Sequence, residues 1–251
     1  MNAIDETAQL QQPDVVANMA DAVRERGKER GGKRRYLDNV HPDDYIPETG
    51  DVDLTEISLT GLADLYGSDK GKIKHHYTKV YETLISELGG RDKRLSVGEI
   101  GVACGASLRM WAQYLPNAKI EGFDIRPDCA NLCKDLPNVT ITISDPREVN
   151  RDDQYELFVD DGSHIAEDIV DTMVHCQTWV RKGGFYVIED LGCTYNEAYT
   201  MRYRKHFGGN LPNDRQHIAN LFDEIAKMID AKNGVFSEMR YYPQLLVLKV
   251  R

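Results

Sequence analysis

The sequence predicts an α/β fold, a doubly wound and mostly parallel sheet, and three observations carry that expectation. From Leu54 onward, short apolar segments rich in β-branched and aromatic residues alternate with stretches of helical periodicity. Several of these segments run directly into acids and glycines, as strands do when ligand-binding loops follow their carboxyl ends. The 251 residues, 41% of them hydrophobic and 29% charged, suffice for one such domain plus an extra segment.

Residues 1–53 are polar and charged and are broken by Pro13, Gly27, Gly31, Gly32, Pro42 and Pro47, so they read as an arm, an interface or lid element with a short helix near Val15 to Arg26. Residues 54–251 form the catalytic domain. Its expected strands are Leu95 to Ile100, Lys119 to Phe123, Val139 to Ile143, Tyr155 to Val159 and Gly184 to Ile188, with Gln244 to Val250 closing the sheet. The expected helices are Ser107 to Tyr114, Cys129 to Leu136, Ala166 to Val180 and Asn220 to Ala231.

The net charge of -10 argues against a general affinity for nucleic acid, since phosphate binding needs clustered Lys and Arg. The one basic run, Arg24 to Arg35, reads as a solvated helix end or arm. No apolar run approaches the roughly 20 residues of a membrane span, and Met1 to Leu10 lacks a signal-peptide pattern, so a cytoplasmic protein is expected. Cys104, Cys129, Cys133, Cys176 and Cys193 are odd in number and read as buried thiols.

After the first strand, Glu99 precedes Gly101 and Gly105, and the loop opens a helix at Ser107. The spacing G-x-x-x-G is not the G-x-G-x-x-G of dinucleotide sites, and tight turns need glycine for the same steric reason that ligands do. Asp124 ends the second strand, where a carboxylate can accept from ribose hydroxyls. Asp145 after the third strand can reach an adenine amino group, or can serve as a helix N-cap. With Asp160 counted among them, these residues describe an adenosine pocket without a pyrophosphate clamp. The fourth strand runs into Asp160, Asp161, Gly162, Ser163 and His164, and the fifth into Glu189 and Asp190. Four converging acids repel one another and raise one another's pKa unless a cation holds them, and oxygen ligands favour Mg2+, or Mn2+ in its place. The competing reading makes Asp161, Ser163 and Asp190 loop and cap residues.

Several blocks together resemble a known family: Tyr66 to Lys70, His75-His76-Tyr77 with Tyr81, Gly105 to Trp111, Val159 to Ile165 and Gly183 to Asp190. The sequence resembles the metal-dependent sugar O-methyltransferases of natural-product pathways, the mycinamicin, tylosin and rhamnosyl O-methyltransferases, over about Leu62 to Val250. The resemblance implies a Rossmann-like class I fold and S-adenosyl-L-methionine as methyl donor. It places Asp161, Glu189 and Asp190 on the metal and makes His164 the general base, working with Asp161. Glu99, Gly101, Ser107 and Asp124 then contact the donor, and Lys70 and Tyr77 close over it. It further implies a small-molecule glycoside or sugar substrate and a homo-oligomer. Ser144-Asp145-Pro146 departs from the family's usual G-D-Q turn, which leaves the adenine contact open. A catechol-type O-methyltransferase, a diverged relative of the cephalosporin hydroxylases and a catalytically silent binding module are the competing readings.

Overall fold

The computed structural model describes residues 54–152, 154–195 and 215–251. The arm 1–53, with the helix expected near Val15 to Arg26, and the segment 196–214 lie outside the described residues. Helices α1 (Leu59–Tyr66) and α2 (Thr78–Glu87) precede strand β1 (Ser96–Ile100). Then follow α3 (Ala106–Tyr114), β2 (Lys119–Asp124), β3 (Val139–Ile143), β4 (Tyr155–Asp160), α4 (Ala166–Cys176), β5 (Val180–Ile188), α5 (Arg215–Ala231), β6 (Phe236–Tyr242) and β7 (Leu245–Val250).

These seven strands form one sheet in the order β3-β2-β1-β4-β5-β7-β6. The first five are parallel, whereas β7 lies antiparallel to both β5 and β6. The strand order reverses between β1 and β4, so the crevice of the sheet opens beyond their carboxyl ends.

Alternation along the strands sorts the apolar residues into two cores. Val97, Leu157, Val159, Phe185 and Val187 face α1, α2 and α3 in one. Ile100, Phe158, Tyr186 and Ile188 face α4 and α5 in the other. Helix α1 starts where the Ser58 side chain accepts from Gly61 N and ends at Gly67 in the left-handed region.

Two expectations change and one strand is new. The helix expected from Cys129 to Leu136 is a short 3-10 turn, Pro127–Asn131, because Pro137 disfavours helical backbone at Leu136 and Cys133 adopts a positive φ of 60°. Helix α4 stops at Cys176, and Val180 already belongs to β5, which begins four residues before the expected Gly184. Strand β6 escaped the pattern because, as an edge strand, it carries Ser237, Glu238 and Arg240 and lacks a clean apolar alternation.

This strand is tied back to α2. Arg240 Nη1 and Nη2 donate to Glu87 Oε1 and Oε2 at 2.5 and 2.9 Å, and Arg240 with Lys249 holds the Glu87 carboxyl below its ordinary value. A depressed carboxyl stabilises the fold above its unfolded pKa of 4.5, and that stability is lost as pH falls through the lower folded value. Arg240→Ala should cost about 0.5–1 kcal/mol at pH 7, and the difference from the parent in urea unfolding should shrink as pH falls from 4.5 through the lower folded value.

Candidate active site

Register places the site. Ile100, Asp160 and Ile188 stand side by side in β1, β4 and β5. The pairing continues one residue further, with Asp161 N donating to Ile100 O at 3.1 Å and Glu189 N to Asp160 O at 2.9 Å. Gly101, Asp161 and Glu189 therefore form the next row across the crevice.

The period of two decides which acids can meet. Asp161 and Glu189 share the face of Glu99, Val159 and Val187. Asp160 belongs to the opposite face with Phe158 and Tyr186, so the expected convergence of all four acids, Asp160, Asp161, Glu189 and Asp190, is corrected to three. Burial pushes the Asp160 carboxyl up to about 7, and Gly162 N donates to its Oδ1 at 3.3 Å. Asp190 rejoins the Asp161 side because its backbone turns through the left-handed region at φ 53°.

The counter-charge of the cluster is Lys70. Its Nζ lies 2.5 Å from Asp161 Oδ2, 2.9 Å from Glu189 Oε2 and 3.4 Å from Glu99 Oε1, and its side chain is 1% exposed. Burial alone would lower the ammonium pKa, but Asp161, Glu189 and Glu99 outweigh it and hold it well above the ordinary lysine value. Burial raises Asp161 and pushes Glu189 up to about 8, against the pull of Lys70. The Tyr81 hydroxyl donates to Glu189 Oε1. Lys70, expected to close over the donor, is thus committed to anchoring its loop to the strand ends. Asp161 and Glu189, both expected on the metal, are both held by the lysine, and Glu189 by the tyrosine as well.

The groups that do gather are Asp161, His164 and Asp190, whose ligand atoms lie within 4.8 Å of one another. His164 Nε2 is 3.8 Å from Asp161 Oδ1. His164 is 7% exposed at φ 54°, and burial lowers its pKa, which favours the neutral ring that a proton acceptor requires. Tyr77 donates its hydroxyl to Asp190 Oδ1 at 2.8 Å, so it fixes that carboxylate. Asp161 is 18% exposed and gives the cluster its opening. The carboxylates of Asp161 and Asp190 suit a hard divalent ion, with the imidazole beside it as a proton acceptor.

On the cofactor side, Glu99 is fully buried and accepts from Ser107 Oγ at 2.6 Å and from Trp111 Nε1. Asp124 Oδ2 accepts from the backbone of Val102 and Ala103 at 3.0 and 3.1 Å, which pins the loop after β1. Gly101, at φ 92°, is required by packing: a Cβ there would stand 2.1 Å from the Asp161 carbonyl oxygen. Gly105, at φ 81°, would meet Cys133 Sγ at 2.9 Å. Asp145 caps the turn Pro146–Glu148 by accepting from Arg147 N, the cap alternative of its two readings. Tyr81 and Trp111 stood in recognisable blocks without an assigned task, and no spacing rule would have aimed them at Glu189 and Glu99.

Two outcomes follow from this geometry. Lys70→Met strands buried carboxylates, which should cost about 3–5 kcal/mol, read as a fall in Tm of roughly 10 °C in chelator. Gly101→Ala forces the Asp161 loop to move and should cost about 1–3 kcal/mol in urea unfolding.

No family model matches the chain. It is 35% identical over 157 residues to the 8-demethyl-8-alpha-L-rhamnosyl tetracenomycin-C 2'-O-methyltransferase of Streptomyces olivaceus, covering 58% of this chain and 40% of that protein. It is 29% identical over 151 residues to the mycinamicin VI 2''-O-methyltransferase of Micromonospora griseorubida, covering 55% and 37%. The chain thus spans about two fifths of the length of these curated relatives. Among solved structures, the MycE methyltransferase of the mycinamycin pathway, in complex with Mg, SAH and mycinamycin VI, superposes with a TM-score of 0.63 at 23% identity, over 77% of this chain and 54% of that one. The chain has the Rossmann-like fold of a class I methyltransferase, and its sequence is similar to sugar O-methyltransferases of natural-product pathways.

Proposed function

We propose that this protein is an S-adenosyl-L-methionine- and Mg2+-dependent O-methyltransferase acting on a sugar hydroxyl of a glycosylated small molecule. The observation that carries the reading is the meeting of Asp161, His164 and Asp190 at the switch point of the sheet, in a chain similar to proteins named as sugar O-methyltransferases. The solved MycE complex holds Mg and SAH, and these are the groups proposed here.

Asp161 and Asp190 would hold the ion, and the loop shaped by Asp124 would face the donor beyond β1 and β2. Bound there, the ion would acidify a coordinated hydroxyl and the donor would supply a sulfonium methyl group. His164, buried and inclined to the neutral form, takes the hydroxyl proton at Nε2. Tyr77 orients Asp190, while Lys70 and Tyr81 fix Glu189 and keep the floor of the site rigid. Most of the rate gain expected of these residues comes from holding the reactants in line. Among the described residues no helix is long and apolar enough to cross a membrane.

Calorimetric titration of S-adenosylmethionine and S-adenosylhomocysteine tests the reading, with Mg2+ and with chelator. Micromolar binding of either is expected, with turnover on a vicinal-diol glycoside only when Mg2+ is present. Turnover on a catechol in place of the glycoside would move the substrate class, and absence of donor binding would overturn the reading. His164→Ala should retain donor binding and lose about 10²–10⁴-fold in kcat.

A further inference from the structure

The loop from Asp69 to Thr78 carries two donors, Asp69 and His75, that the mechanism above leaves unused. Asp69, His75 and Asp190 also bring one ligand atom each within 4.8 Å of one another. The His75 side chain is 9% exposed, and its Nε2 points between Asp190 Oδ1 at 3.5 Å and Asp69 Oδ2 at 4.0 Å. This buried nitrogen has no hydrogen-bond partner. A buried polar atom left so is costly and calls for an explanation.

Nothing about the ring suggests a loose side chain. It stacks on Tyr77 with centroids 4.9 Å apart and planes 15° from parallel, and the Tyr77 hydroxyl in turn holds Asp190. The loop is closed by its own backbone, His75 N donating to Asp69 O at 3.1 Å and Thr78 N to Lys70 O at 3.2 Å. Asp69 and His75 are therefore brought together by local chain geometry, and Asp190 is presented to them from the end of β5.

An imidazole nitrogen between two carboxylates is satisfied by a proton or by a metal ion. The gap to Asp190 is at the limit of a hydrogen bond and the gap to Asp69 is beyond it. Both suit ligands that share one ion, each about 2.0–2.2 Å from it. We propose that Asp69, His75 and Asp190 form a second divalent-cation site, which fastens the Asp69–Thr78 loop to the end of β5. One nitrogen and two carboxylates favour a borderline ion such as Mn2+, Co2+ or Zn2+ over Mg2+. Lys74 Nζ, 2.8 Å from Asp69 Oδ2 and 32% exposed, is the cation that an incoming ion displaces toward solvent. The site shares Asp190 with the proposed Mg2+ site and requires no methyl transfer.

The test is Mn2+ titration of the chelator-stripped full chain, with free Mn2+ read by electron paramagnetic resonance. Two ions per chain are expected for the parent and one for His75→Ala, with the remaining ion lost on adding Asp161→Asn. Asp69→Asn keeps the shape of its side chain, guards against misfolding of the histidine variant, and should weaken the same ion at least tenfold. A single ion that survives His75→Ala and Asp69→Asn with unchanged affinity but is lost in Asp161→Asn overturns the second site and leaves the first. A single ion with the opposite sensitivity supports the second site and overturns the placement of Mg2+. No binding at all overturns both.

Discussion

The arrangement of the crevice depends on one ion pair system, the Lys70 ammonium among Glu99, Asp161 and Glu189. Three carboxylates on adjacent strands of one sheet face would repel one another in a medium where charges are poorly screened. The lysine arrives from outside the sheet, on the loop between α1 and α2, and so joins two otherwise separate pieces of the chain. Its position fixes where the loop sits, and Tyr77 and His75 follow from it. A buried pair of this kind is weak evidence of net stability but a strong constraint on geometry.

A division of labour results. Glu99 and Glu189 meet Lys70, Ser107, Trp111 and Tyr81, while Asp161 stands between Lys70 on one oxygen and His164 on the other, and Asp190 is held by Tyr77. Asp161 therefore belongs to both clusters and couples the lysine to the His164 side of the crevice. The neighbouring loop after β1 is rigid for a separate reason, since Asp124 accepts two of its backbone N–H groups and Gly101 clears the Asp161 carbonyl.

Much of the fold was legible because five parallel strands and the closing strand are apolar and short, and each is followed by polar punctuation. The edge strand β6 was not, because half of it meets solvent and its partner β7 supplies the apolar contact. The stretch after β2 misled for a local reason, since Pro137 disfavours helical backbone at Leu136 and Cys133 turns through a positive φ of 60°. At the site, residue types and spacing pointed to Asp161, His164, Glu189 and Asp190 as a group. Which of them turn inward was illegible, because it depends on Lys70 and Tyr81, 91 and 108 residues from their partners. The glycines of the β1 loop illustrate the same limit, as the atoms that exclude a side chain from Gly101 belong to Asp161 and Gly162.

The adjacent acids Asp160 and Asp161 carry one more consequence. If β4 were threaded one residue out of frame against β1 and β5, an aspartate would still arrive at the Lys70 position, so the charge pattern alone cannot distinguish the two threadings. The discrimination falls to Phe158 and Leu157, whose unequal volumes suit only the cores they occupy. The proofreading of this site is thus done by the hydrocarbon behind it, and a repacking of that strand that evened out those volumes would leave every functional group in the sequence while removing the instruction for where to put them.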